Sequence, residues 1–253
     1  MLLGAISVPY VDPRDLELGL EADAEWKSAY PIEQLAPKRK IGGLLRVNDP
    51  SFFEAKKGRL VTRHGRFKRH RTAMLPQWEM EQYPYRVRVT IRKQDDRSVS
   101  AGLIFGAKTP YEFELGGAET HGALFAYVSP STLSLRDHRT DGTQVWKGRE
   151  AGLSSDWERG DTLTLTLSVT AGGSHGMVAT QLEGDASAEL PATPVDLGKP
   201  DSLTENPHVR GKGYFGVAVD GPGEVEILSL EVDPGPNTPA RTGLKPYRRA
   251  CEW

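Results

Sequence analysis

Apolar and polar residues alternate with a period of two in several short runs, and that period belongs to half-buried strands rather than helices. Tyr85, Val87, Val89 and Ile91 fall on one face of a strand, with Arg86, Arg88, Thr90 and Arg92 on the other. Leu163, Leu165, Leu167 and Val169 alternate in the same way with Thr162, Thr164, Thr166 and Ser168. Gly172-Gly173 turns this second run into a partner strand over Met177 to Leu182, which predicts a hairpin. Long helical periods are absent. The pattern therefore predicts an all-β chain, a two-sheet antiparallel β-sandwich with an N-terminal arm.

The centre of the chain reads as strand, turn, strand, turn, strand. Ala101 to Ala107 is almost wholly apolar, as a strand covered on both faces would be. Tyr111 to Leu115 alternates, setting Tyr111, Phe113 and Leu115 against Glu112 and Glu114. Gly122 to Val128 is apolar again and stops before Pro130. Thr132 to Arg136 predicts a further strand, Asp141-Gly142 a turn, and Val145-Trp146 the start of a return. Glu183 to Arg210, rich in Pro, Asp, Ala and Gly, predicts a long surface loop. Tyr214 to Val219 and Glu224 to Val232 predict closing strands around Asp220-Gly221-Pro222-Gly223. The apolar phase changes after Ile227, which predicts a bulge or coverage on both faces.

Residues 1–45 predict an arm packed on the body, with a short strand over Ile6 to Val11 and a helix or loop over Asp15 to Ala29. The arm carries too few apolar residues to offset its own ordering entropy. Residues 46–233 are the sandwich and residues 234–253 a tail outside the core. Arm and tail together offer means of homo- or hetero-oligomer assembly.

Composition narrows the function classes. The chain has 253 residues with 27 Gly and 18 Pro, which suits many short strands and turns. A net charge of −2 gives no global field toward nucleic acid or a membrane surface. No run of about 18 apolar residues occurs, so no membrane-spanning helix is expected. Cys251 is the single cysteine, so no intrachain disulfide forms and the compartment stays undecided. MLLGAISVPYVDP lacks a basic n-region and makes a poor secretory signal; the protein stays inside the cell, or a signal has been removed.

One segment departs from this balance. Lys56 to Arg71, KKGRLVTRHGRFKRHR, holds no acid. Either it presents His64, Arg66, Arg69 and His70 to an anionic partner, or it is a solvated strand and loop whose charges meet acids elsewhere. Phe67 alone is interleaved, so no stacking platform for nucleic acid is visible and that partner is disfavoured. Arg88 adds to the basic faces, and Trp78 and Trp146 are rings that stack on a sugar or pack in a core. No pair among His64, His70, His121 and His138 has a recognised metal spacing. No G-x-S-x-G, P-loop or dinucleotide fingerprint is present, and Glu112-Phe-Glu114 reproduces only the first spacing of the Glu-x-Asp-x-x-Glu signature of sandwich endoglucanases.

The stretches SAGLIFGA (100–107), PYEFEL (110–115), HGALFAYVSPS (121–131) and GYFGVAVDGPGEVEILSLEV (213–232), with Trp157 ahead of the Thr/Leu strand, resemble concanavalin-A-like, laminin-G-type jelly rolls. More narrowly they resemble the 3-keto-disaccharide (3-keto-glycoside) hydrolase-like family, over roughly Gly58 to Val232. The closing turn differs, with Asp220-Gly221-Pro222 where that family has a histidine-glycine turn. The resemblance implies a carbohydrate partner, anionic or oxidised, whose C2 proton is removed before the C1 substituent leaves. It implies Glu112 as base or ligand to a divalent metal; Glu114, on the same face two residues on, is the second candidate carboxylate, and His121 is the imidazole chosen as catalytic partner from His64, His70, His121 and His138. The alternative is a non-catalytic sandwich, either a glycan-binding module or a structural subunit of a larger assembly.

Overall fold

The structure, a computed structural model, describes residues 26–29, 46–47, 53–56, 59–63, 71–107, 123–138, 148–181, 186–193 and 211–239. The expected strand over 6–11, the stretch 111–115, the turn at 141–142 and the return at 145–146 lie outside them. The described residues form strands and turns, with no helix. In chain order the strands are β1 (Lys27–Ser28), β2 (Arg46–Val47), β3 (Phe53–Lys56), β4 (Arg59–Thr62), β5 (Arg71–Met80), β6 (Tyr85–Lys93), β7 (Ser100–Ala107) and β8 (Ala123–Val128). They continue with β9 (Thr132–His138), β10 (Arg149–Gly152), β11 (Thr162–Val169), β12 (His175–Gln181), β13 (Ala186–Thr193), β14 (Gly213–Asp220) and β15 (Val225–Asp233).

They make two antiparallel sheets. The eight-stranded sheet runs β13-β12-β11-β6-β15-β4-β3, with β1 added on β15. The seven-stranded sheet runs β10-β9-β8-β7-β14-β5-β2. The core between them follows directly from the alternation. On β6, Tyr85, Val87, Val89 and Ile91 are fully buried. They stand opposite Val169, Leu167, Leu165 and Leu163 of β11, so the two apolar faces are one surface. The seven-stranded sheet answers with Leu103 and Phe105, Leu124 and Val128, and Phe215 and Val217. Burying each such side chain contributes about 1.5–3 kcal/mol. The phase change in β15 is a bulge: Ile227 pairs with Ile91 and Ser229 with Thr90, leaving Leu228 as the extra residue. Val225, Ile227, Leu230 and Val232 thereby all reach the core.

One expectation is corrected, and two features go beyond the sequence reading. Glu183 to Arg210 is not loop throughout, since β13 pairs with β12 and puts Ala188 and Leu190 into the core. Its small apolar residues and Pro191 hide the alternation. Arg71 to Met80 is a ten-residue strand despite its basic start and Pro76. Register shifts between Tyr214 and Gly216 of β14 as β5 passes from Glu79 to Met74, and the proline sits inside that irregularity, where no ladder donor is needed. Finally, β14 and β15 flank one turn but lie in different sheets, so Asp220 to Gly223 is a crossover between the layers.

The arm and tail are anchored where they are described. Lys27 and Ser28 pair with Val232 and Glu231, and Ala29 is buried in the core. Asn237 is 7% exposed. Its Oδ1 accepts from the Glu81 and Gln82 amides at 2.9 Å, and its Nδ2 donates to the Gln82 and Pro234 carbonyls at 2.8 Å. This side chain holds the end of β15 to the β5–β6 turn.

Candidate functional site

Strand alternation leaves the seven-stranded sheet with a second face, turned away from the inter-sheet core. That face is also apolar. Met74, Ile104, Ala107, Ala123, Phe125, Tyr127 and Ala218 form a separate buried cluster, with Tyr214 packed against it. Phe125 and Tyr127, two apart on β8, set their rings 5.1 Å apart. Burial is the largest cause that raises the Tyr127 phenol well above its ordinary pKa, and the Asp220 carboxylate adds to it. The face is rimmed by charge where β9 meets β10: Arg136, opposite Phe125, forms an ion pair with Glu150.

At one end of this face the packing opens. Tyr214 of β14 is directly opposite Glu79 of β5 and next to Ala107 of β7. Both Tyr214 and Glu79 are half-buried. The Tyr214 hydroxyl donates to Glu79 Oε2 at 2.8 Å. Gly213 makes this approach: its φ is 128°, and a Cβ there would stand 2.4 Å from the Ala107 carbonyl oxygen. The same end of the sandwich carries Tyr85, whose hydroxyl donates to the Gly211 carbonyl, and His175, edge-on to Phe105 at 5.4 Å. Arg149 donates to the His175 carbonyl. The Lys212 ammonium lies 5.0 Å from the centre of the Tyr83 ring.

Most of the residues expected to act lie outside the described ones: Glu112, Glu114, His121, His64, Arg66, Arg69, His70 and Trp146. The described strands nevertheless fix where their segments attach. Glu112, Glu114 and His121 belong to the connection between Ala107 and Ala123, and both of those alanines are members of the outer apolar cluster. Trp146 lies on the connection from β9 to β10, which leaves the sheet at His138, opposite Ala123. The segment with His64, Arg66, Arg69 and His70 joins β5 at Arg71, which pairs with Val219 at the far end of the sheet.

Trp78 and Arg88 are described. Trp78 is 5% exposed and belongs to the inter-sheet core, so packing explains its ring without a sugar. The Arg88 guanidinium grips Glu231 with bonds of 2.8 and 2.9 Å and lies 4.2 Å from the centre of the Trp26 ring. The basic run behaves likewise where it is described. Lys56 and Arg63 meet Glu54, and Arg59 meets Glu226. These partners hold the Glu54 carboxyl below its ordinary range, chiefly through the Arg63 hydrogen bond. Arg71 is buried. Glu79 and Tyr214 are the residues that sequence reading passed over. The only signal was the alternation of Trp78 and Met80 around Glu79, which Pro76 obscured. Among the described residues no three of His, Cys, Asp or Glu gather closely enough to hold a metal ion.

No family model matches the chain, and no curated protein matches it. Solved structures do. The potassium-bound form of the Emp46p carbohydrate recognition domain aligns with a TM-score of 0.50 and 13% identity, over 82% of this chain and 98% of that one. SCLam, a non-specific endo-β-1,3(4)-glucanase from family GH16, aligns with a TM-score of 0.52 and 13% identity, over 85% and 93%. The fold is a concanavalin-A-like jelly roll. At this identity the likeness extends to the two-sheet architecture, as the strand order and the inter-sheet core also require.

Proposed function

We propose that this protein is a carbohydrate-active jelly roll whose site lies at the open end of the outer face of the seven-stranded sheet. The observation that carries the reading is topological. The connection bearing Glu112, Glu114 and His121 leaves and re-enters the sheet at Ala107 and Ala123, beside Tyr214, Glu79 and the Phe125 ring. The half-buried Tyr214 ring with the Glu79 carboxylate beside it suits a sugar, which has a C–H face and a hydroxyl edge. The two structural relatives support the class: one is named as a carbohydrate recognition domain, the other as a glucanase.

The reaction we assign is cleavage of a 3-keto-glycoside. The ketone acidifies the C2 proton; Glu112 removes it; His121 protonates the departing C1 oxygen; water then adds across the resulting enone and completes hydrolysis. Glu114 is the second carboxylate of the set. Glu112 would also be the ligand to the divalent metal that the resemblance implies, which would supply Lewis-acid stabilisation of the enolate.

Turnover of methyl 3-keto-β-D-glucopyranoside and of a 3-keto-disaccharide, with and without added divalent metal, tests this. Glu112→Gln should lower turnover by about a hundredfold or more, in line with loss of a general base, while the thermal melt stays where it was. A wild-type protein that leaves both sugars intact under all conditions overturns the enzymatic assignment.

A further inference from the structure

Five carboxylates on the described strands are matched to cations. Glu54 meets Arg63 and Lys56, Glu226 meets Arg59, Glu231 meets Arg88, Asp233 meets Arg86, and Glu150 meets Arg136. Glu79, like the exposed Glu189, is not among them. It is half-buried at the margin of an apolar cluster, and among the described residues its hydrogen-bond partner is the phenol of Tyr214 rather than a cation. Lys212, two residues before Tyr214, is held over the Tyr83 ring instead. A carboxylate drawn partly out of water with one neutral donor among the described residues is costly, and it keeps acceptor capacity to spare. The phenol engages Oε2, which fixes the plane of the group and leaves Oε1 for another donor.

We propose that Glu79 is a ligand-contacting residue, oriented by Tyr214, that accepts hydrogen bonds from adjacent hydroxyls of an uncharged sugar. The proposal rests on the carbohydrate reading above and narrows it. A carboxylate acceptor at the margin selects hydroxyl donors and disfavours a uronate, so of the two classes the sequence suggests, oxidised and anionic, the uncharged oxidised one fits. The Tyr214 ring, packed on the outer cluster beside Ala107, supplies the apolar surface for the sugar's C–H face.

Isothermal titration of the full chain with methyl 3-keto-β-D-glucopyranoside, laminaritriose and digalacturonate tests it. Wild type should bind at least one of the two neutral sugars and bind digalacturonate at least about tenfold more weakly, as the lost charge-assisted bond and the repulsion demand. Glu79→Gln, which keeps shape and the Tyr214 bond, should weaken neutral-sugar binding by about tenfold to a hundredfold. Tyr214→Phe should weaken it by a smaller factor, and both variants should melt within a few degrees of wild type. Neutral-sugar binding that is unchanged in Glu79→Gln, or digalacturonate bound as tightly as the neutral sugars, overturns the role of Glu79 and leaves the carbohydrate reading standing. A wild type that binds none of the three overturns both.

Discussion

Arg71 closes the basic run in the sequence, yet its side chain is 1% exposed. Its guanidinium donates to three backbone carbonyls: Arg63 at 2.7 Å, Gly221 at 2.7 Å and Gly223 at 2.8 Å. Burial is the largest influence on it and lowers its pKa; the carboxylates of Asp220, Glu224 and Asp95 act the other way. One charge thus joins the start of β5 to the crossover between the sheets. Arg71→Met should cost roughly 3–5 kcal/mol in urea unfolding, because it orphans buried carbonyls, and Arg71→Lys should recover only part of that, lacking the planar fork. Sequence reading sees the charge of such a residue but not its partners, since the carbonyls of Gly221 and Gly223 arrive from about 150 positions away. Tyr85 and Tyr127 carry a second residue-scale consequence. Burial raises both phenols well above the ordinary value of 10. The unfolded chain loses these protons first as pH rises, so the folded state binds more protons above about pH 10 and stability falls there. Denaturant midpoints measured from pH 8 to 11 should decline only at the alkaline end, and Tyr127→Phe should soften that decline.

At the scale of elements, the strands that were legible are those with clean alternation. β6 and β11 declare themselves because their partners bury one face and leave Thr90 and Thr164 hydroxyls to meet at 3.1 Å on the other. The bulge in β15 was legible for the same reason, as a break in phase. β5 and β13 were not, because bulges and proline scramble the period while tertiary pairing still supplies their hydrogen bonds. The site followed the same divide. The segment with Glu112 lies outside the described residues, and Glu79 sat on a strand the pattern did not reveal. Leu165, fully buried on β11 between Val89 and Ala179, tests the element directly. Leu165→Ala should cost about 2–5 kcal/mol by denaturant unfolding, the range for a large-to-small change in a packed core.

The whole molecule is held by pairings between distant parts of the chain. β5 lies beside β14, and β6 lies between β11 and β15. Two corners tie the layers together, with Arg71 at the crossover and Asn237 at the β5–β6 turn. The two-layer plan was legible in the sequence as a class, and so was the β11–β12 hairpin; the pairings between distant strands were not, and β14 and β15 adjoin in the chain yet part company in space.

That separation has a consequence for how the molecule is made. Arg86 and Asp233 are 147 positions apart, yet β15 fills the gap beside β6. At roughly 5–20 residues per second, a ribosome leaves β6 without that neighbour for about 7–30 s. Through that interval a nascent chain carries an open, apolar strand border of the kind that holdase chaperones cover and that invites mispairing between chains. A chain cut after Pro222 is stalled in that state permanently, and should give a disordered far-ultraviolet circular dichroism spectrum or aggregate.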